Sequence, residues 1–312
     1  MTTDILLQAR RLCRRYGNRT ALDGLDLTVC RGEVVGLLGP NGAGKSTTLR
    51  LLSGTLPPHS GEVEVAGVDL FAAPRLAKRQ LGYLPEVPPV YPEMTVEAYL
   101  RYCGELRGLR RAALRQAVAQ ALEWCSLNGV RRRIIGNLSK GYIQRVGIAQ
   151  AVLHDPLVLI LDEPTVGLDP LQIREIRQLI ESLREGRGIV FSSHILPEIQ
   201  ALCDRVVILR DGRPVFSGPV AVPAEAGLQV QLRCRLAPDP AQLAAVAGVE
   251  ALQVAADGSL QLVLADEAAA TRVQQAVLAA GWGLREWVLP QTNLEQLFVS
   301  LVHGECVSEG AA

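Results

Sequence analysis

Residues 39–47 read Gly39-Pro40-Asn41-Gly42-Ala43-Gly44-Lys45-Ser46-Thr47 (GPNGAGKST), with the apolar run Val34-Val35-Gly36-Leu37-Leu38 before them and Thr48, Leu49, Leu51 and Leu52 after. The match to GxxxxGK[ST] comes with the surroundings it needs: a short buried strand, a glycine-rich turn, and a helix that Gly54 can end because glycine tolerates φ > 0. Glycines at 39, 42 and 44 let the backbone wrap a polyphosphate, so that successive N–H groups and the positive end of the following helix face the anion. Lys45 adds a mobile point charge for the β and γ phosphates, and the Ser46 hydroxyl is placed to ligate Mg2+. A flexible turn ahead of an ordinary helix is the plainer reading. Composition weighs against it, because lysine occurs only at 45, 78 and 140 in a chain that otherwise draws its cations from arginine.

A length of 312 residues suggests two domains, and 48% hydrophobic residues suffice for a packed core. Thirty-two basic and 32 acidic residues cancel, so no global field favours nucleic acid or an anionic membrane surface. The run Arg131-Arg132-Arg133 reads as a solvated face, and no nucleic-acid partner is expected. Seven scattered cysteines without a CxxC pair are the pattern of reduced cytosolic thiols rather than of a disulfide frame or a zinc site. No run approaches the roughly 18 apolar residues of a membrane span. The chain is therefore expected to be cytoplasmic, with any membrane contact made indirectly through a partner.

Along the chain, Ile5 to Val29 reads as strands with turn signals at Gly17-Asn18 and Asp23-Gly24, and Gly61 to Asp69 alternates with period two as a hairpin. From Thr95 to Val152 the pattern is helical, in three segments, the last opening at Leu138-Ser139. Leu157 to Leu161 is a strand buried on both faces, Ile189-Val190-Phe191 is another that runs into Ser192-Ser193-His194, and Val206 to Leu209 enters a hairpin at Asp211-Gly212. The stretch from Gly218 to Gly227 is rich in Pro, Ala and Gly and marks a boundary. The expected organisation is an α/β nucleotide-binding domain over 1–220, with a helical subdomain at about 92–153, then a small α+β domain over 228–303 and a frayed tail over 304–312. In the second domain the order strand, helix, strand, strand, helix, strand is ferredoxin-like, with a further helix at Asn293 to Val302.

Asp162-Glu163 stands at the carboxyl end of the apolar run, where α/β sheets bind ligands. With a phosphate loop present, one carboxylate suits Mg2+ and the next suits a general base for the attacking water, although a helix cap is the plainer alternative. Upstream lies Leu138-Ser139-Lys140-Gly141-Tyr142, LSKGY, continued by Gln144-Arg145. It resembles LSGGQ, the signature of ATP-binding cassette (ABC) ATPases. The resemblance covers residues from about 4 to 218, and further motifs follow in register. Tyr16 resembles the aromatic that stacks on adenine, Glu86 lies at the Q-loop position, Gly167-Leu168-Asp169 resembles the D-loop, and His194 resembles the switch histidine.

The resemblance implies a parallel core sheet with an antiparallel β layer and an inserted helical subdomain. It also implies a head-to-tail homodimer in which each ATP is held between the phosphate loop of one copy (39–47) and the signature (138–142) of the other. Glu163, His194 and Glu86 become the catalytic set, and Ser46, Asp162 and Glu86 the Mg2+ set. Three departures stand out: Glu86 replaces Gln, Lys140 replaces Gly, and Tyr142 replaces Gln. With YLPE and YPEMTVEAYL nearby, they resemble exporter ATPases of the drug-resistance and gliding-motility type, which work with a separately encoded integral membrane permease. The expectation is an ATPase that is peripheral on the cytoplasmic face of the inner membrane. Its rival is a soluble ABC ATPase of translation, iron-sulfur assembly or DNA repair.

Overall fold

The computed structural model describes residues 4–220, 228–255, 258–288 and 298. Strand β1 (Ile5–Tyr16) turns at Gly17-Asn18 into β2 (Arg19–Cys30), and a tight connection at Arg31-Gly32 leads to β3 (Val34–Leu38) and helix α1 (Lys45–Leu52). A hairpin of β4 (Ser60–Val65) and β5 (Val68–Asp69), the single turn α2 (Pro74–Ala77) and β6 (Leu81–Leu84) follow. Then come helices α3 (Val96–Leu106), α4 (Arg111–Trp124) and α5 (Lys140–Val152). The unit closes with β7 (Val158–Leu161), α6 (Pro170–Leu183), β8 (Gly188–Ser193), α7 (Leu196–Leu202), β9 (Arg205–Arg210) and β10 (Arg213–Pro219).

These strands form two sheets. The core sheet has the order β10-β9-β3-β8-β7-β6, parallel except for the β9–β10 hairpin at its edge. Strands β3, β7 and β8 are buried along their whole length, which is why they read as unbroken apolar runs rather than alternating ones. The second sheet, β2-β1-β4-β5, is antiparallel. Its apolar face, with Leu7, Leu12, Leu25, Val29, Val63 and Val65, packs into one core with Val35, Leu37, Leu49, Leu52, Ile160 and Val190. The α/β cassette with an antiparallel layer expected from the sequence is the fold the chain adopts.

The structure departs locally from the pattern expected. The Asp23-Gly24 pair does not end a strand. It lies inside β2, where the pairing slips between Leu12↔Leu25 and Arg14↔Leu22, so the glycine at φ 71 serves a bulge and not a turn. Helices α2, α6 and α7 were not foreseen. Helix α6 carries a plain start signal, Asp169 followed by Pro170, and the Asp169 carboxylate accepts from the Gln172 N–H at 2.9 Å.

The chain divides into two compact units, Met1–Val220 and Ala221–Ala312. The second contains β11 (Leu228–Cys234), α8 (Pro240–Ala244), β12 (Val249–Val254), β13 (Leu260–Leu264), α9 (Glu267–Ala279) and β14 (Leu284–Val288). Its antiparallel sheet has the order β12-β13-β11-β14, so the first and third strands are central, as a ferredoxin-like βαββαβ unit requires. Val230, Leu232, Leu260, Leu262, Leu264, Ala269, Val273 and Val277 form its separate core. The helix expected at Asn293 to Val302 and the tail 304–312 lie outside the described residues.

Candidate active site

The parallel strands deliver four motif segments to one end of the core sheet. Leu38, the last residue of β3, is level with Ser193 of β8, Phe191 is level with Leu161 of β7, and Leu161 is level with Leu84 of β6. The segments that leave these strands, 39–47, Asp162-Glu163, His194 and Pro85-Glu86, therefore emerge side by side.

In the loop after β3 glycine is required by space as well as by torsion. A Cβ at Gly39 would collide with the Leu209 carbonyl, and one at Gly44, where φ is 107, would lie 2.6 Å from the Ala21 carbonyl oxygen. No side chain caps the first turn of α1, so its N–H groups stay available to an anion. Lys45 is buried, and its Nζ donates to the carbonyls of Gly39 at 2.8 Å and Pro40 at 3.4 Å. The same ammonium lies 3.4 Å from Glu163 Oε1.

Glu163 holds a left-handed backbone conformation, φ 47, that only local constraint maintains in a side-chain-bearing residue. Its N–H donates to Ser192 Oγ at 2.9 Å, and its Oε2 accepts from His194 Nδ1 at 2.8 Å. Ser192 Oγ in turn donates to Asp162 Oδ1 at 2.8 Å, and Ser46 Oγ reaches the same oxygen at 3.4 Å. Burial raises the Asp162 carboxyl above the usual range; the hydroxyls of Ser192 and Ser46 pull it back, and the neighbouring carboxylates Glu86 and Glu163 push it up again. Lys45, Glu163 and His194 thus form one chain of contacts beside the Ser46–Asp162 pair.

A cleft of about 820 Å3 collects Tyr16, Asn41, Gly42, Gly44, Lys45, Ser46, Thr47, Glu86, Glu163 and His194. Gly39 and Ala43 are buried below it, while Pro40 contributes its carbonyl to Lys45. Arg14 lies over the Tyr16 ring, with its guanidinium carbon 5.0 Å from the centroid. The signature stands apart. Ser139, Gly141, Tyr142 and Asp169 line a second cleft of about 700 Å3, with Leu138 buried and Lys140 exposed near Gly167. One chain therefore does not bring its own signature to its own phosphate loop. Arg19, Ala21 and Val166 also line the first cleft, and Ser192 ties its acids together; none of these was singled out from the sequence. Arg19 follows Tyr16 across a hairpin turn, and only the register of β1 on β2 brings its guanidinium beside Gly42.

Among the described residues no group of three or more His, Cys, Asp or Glu side chains is arranged to hold a metal by itself. The adjacent oxygens of Ser46 and Asp162 are instead the sparse, hard donor set that suits Mg2+, which takes one or two protein oxygens and completes its shell with water and substrate phosphates.

A glycine-rich loop that opens a helix, a strand-end acid pair and a histidine bonded to the second acid, all at one end of a parallel sheet, form a site of the P-loop nucleoside triphosphatase class. The chain belongs to the ABC transporter family, whose model matches residues 22–166. The bacitracin transport ATP-binding protein BcrA of Bacillus licheniformis is 40% identical over 210 residues, 67% of this chain and 68% of that protein. The Nod factor export ATP-binding protein I of Sinorhizobium fredii is 33% identical over 309 residues, 97% of this chain and 88% of that protein. A solved ATP-binding subunit of an ABC transporter superposes with a TM-score of 0.63 at 36% identity, over 69% of this chain and 90% of that one.

Proposed function

We propose that the protein is the ATP-hydrolysing subunit of an exporter, working as a homodimer on a separately encoded integral membrane permease. The observation that carries this reading is the single cleft in which Lys45 and His194 both meet Glu163 beside the Ser46–Asp162 pair. The adenine stacks on Tyr16, the backbone of 39–47 and Lys45 take the phosphates, and Glu163 accepts a proton from the attacking water. His194 is poised to exchange its Glu163 partner for the γ-phosphate. Ser46, Asp162 through water, and Glu86 would hold Mg2+, which would supply positive charge to offset that on the phosphate oxygens. Residues 138–142 of the second copy close the site from the opposite side.

Relatives named for bacitracin transport and Nod factor export support the exporter reading over a free-standing ATPase. Among the described residues no helix is long and apolar enough to cross a membrane. Membrane attachment then comes through the permease, for which the Pro85 to Pro92 segment offers a surface. Pro85, Val87 and Pro89 line a third cleft of about 710 Å3 together with Arg50, Tyr83 and Arg107, and Val87 is 78% exposed.

Glu163→Gln tests the reading. It removes the base but keeps the size and the carbonyl, so ATP binding survives while the rate falls by about 10² to 10⁴. In size-exclusion chromatography with ATP and Mg2+ this variant runs as a dimer, and Lys45→Ala or Ser139→Arg within it restores the monomer. A Glu163→Gln protein that turns over ATP at the parental rate, or binds it and stays monomeric, overturns the assignment. Co-expression with the permease is expected to move the protein into the membrane pellet.

A further inference from the structure

Glu198, in the first turn of α7, is 1% exposed and touches neither Lys45 nor Glu163, yet it holds both catalytic loops. Its Oε2 accepts from Thr165 Oγ1 at 2.7 Å and from Ser193 Oγ at 2.8 Å. Thr165 is two residues past Glu163, and Ser193 immediately precedes His194. The Ser193 oxygen also accepts from the Ile195 N–H at 3.0 Å, so it fixes the backbone on the far side of His194. The other carboxyl oxygen, Oε1, has no hydrogen-bond partner among the described residues. A buried carboxyl oxygen left without a partner costs stability.

We propose that Glu198 is a positioning residue for ATP hydrolysis, an inference that rests on the proposed reading of the Lys45 cleft. His194 and Glu163 are joined directly at 2.8 Å, but that contact must break if His194 is to meet the γ-phosphate. The two-hydroxyl link through Glu198 lies behind the reacting side chains and need not break. It keeps the backbone segments that carry the base and the histidine at one spacing while the histidine changes partner. Displacements of about 1 Å between reacting groups cost up to about 10²-fold in rate.

The test uses the full-length chain with Mg-ATP. Glu198→Ala is expected to lower kcat by about 10- to 100-fold, with nucleotide affinity, measured with a fluorescent ATP analogue, within about twofold of the parent. Glu198→Gln is expected to retain most of the rate, since its single carbonyl oxygen can accept both hydroxyls. The decisive reading is a double-mutant cycle: if Glu198 acts through the histidine, His194→Ala costs much less in the Glu198→Ala background than in the parent. A residue that served stability alone would lower the unfolding midpoint and leave the cycle additive. Thr165→Val and Ser193→Ala each remove one donor and carry the same test if Glu198→Ala does not fold. Parental kcat in the folded variants, or an additive cycle, overturns the proposal. If Glu163→Gln hydrolyses ATP at the parental rate, it is the reading of the cleft that has failed.

Discussion

Glu163 owes its position to a left-handed backbone, φ 47, that costs on the order of 1–3 kcal/mol and aims its carboxylate at Lys45 and His194. Gly44 is the complementary case: its φ of 107 and the Ala21 carbonyl oxygen, 2.6 Å from where a Cβ would stand, exclude every other residue. Gly44→Ala is expected to abolish ATP binding in a fluorescent-nucleotide titration and to destabilise the fold by more than about 1 kcal/mol. A third residue carries a charge effect outside the site. Burial, and after it the Arg107 charge, lowers His154 from 6.5 to about 4, opposed by its bond to the Leu81 carbonyl and by Asp155. Because the folded value is depressed, the unfolded chain takes the proton first as pH falls. The contribution of His154 is therefore complete above about 6.5 and is lost progressively down to about 4. At about 1.4 kcal/mol per unit the loss is on the order of 3 kcal/mol. Urea titrations across this window are expected to give a flatter pH dependence for His154→Gln than for the parent.

Helix starts differ in how their first N–H groups are satisfied. Helices α3, α6, α8 and α9 have side-chain caps, from Thr95, Asp169, Asp239 and Asp266. Helices α2, α4 and α7 have none, and neither do α1 after Gly44 and α5 after Ser139, although Ser139 is a residue type well suited to capping. At α1 and α5 the free N–H groups are what an anion needs. At α6 the cap is ordinary local energetics, so Asp169→Ala is expected to cost about 1 kcal/mol and Asp169→Asn only a fraction of that, read from the midpoint of urea unfolding. Arg145 locks α5 onto α6 through Glu175 at 2.6 Å and also donates to the Cys125 carbonyl at 3.3 Å. The signature and the Asp169 loop are therefore carried on elements bolted to one another.

At the scale of the molecule, all the residues of both clefts precede Val220, where the first compact unit ends. Each unit has its own apolar core. A chain ending at Val220 is expected to fold and to bind ATP with an affinity within a few-fold of the parent. A truncated protein that is folded by circular dichroism yet without ATP affinity would mean that the second unit completes the site.

What the sequence determined by itself is local chemistry. The glycines of 39–47, the unbroken apolar runs that become β3, β7 and β8, the acid pair at a strand end and the βαββαβ order of the second unit are all legible because each is set by neighbours along the chain. The departure at Asp23-Gly24 shows the limit, since a glycine at positive φ serves a turn or a bulge equally well and only the partner strand decides. The strand order β10-β9-β3-β8-β7-β6 was beyond local reading. Ladder hydrogen bonds are made by backbone common to all residues, so which strands become neighbours depends on how whole apolar faces compete for burial. That order places β8 between β3 and β7 and so brings His194 onto Glu163 and the buried Glu198 onto both Thr165 and Ser193, while the register of β1 on β2 brings Arg19 beside Gly42.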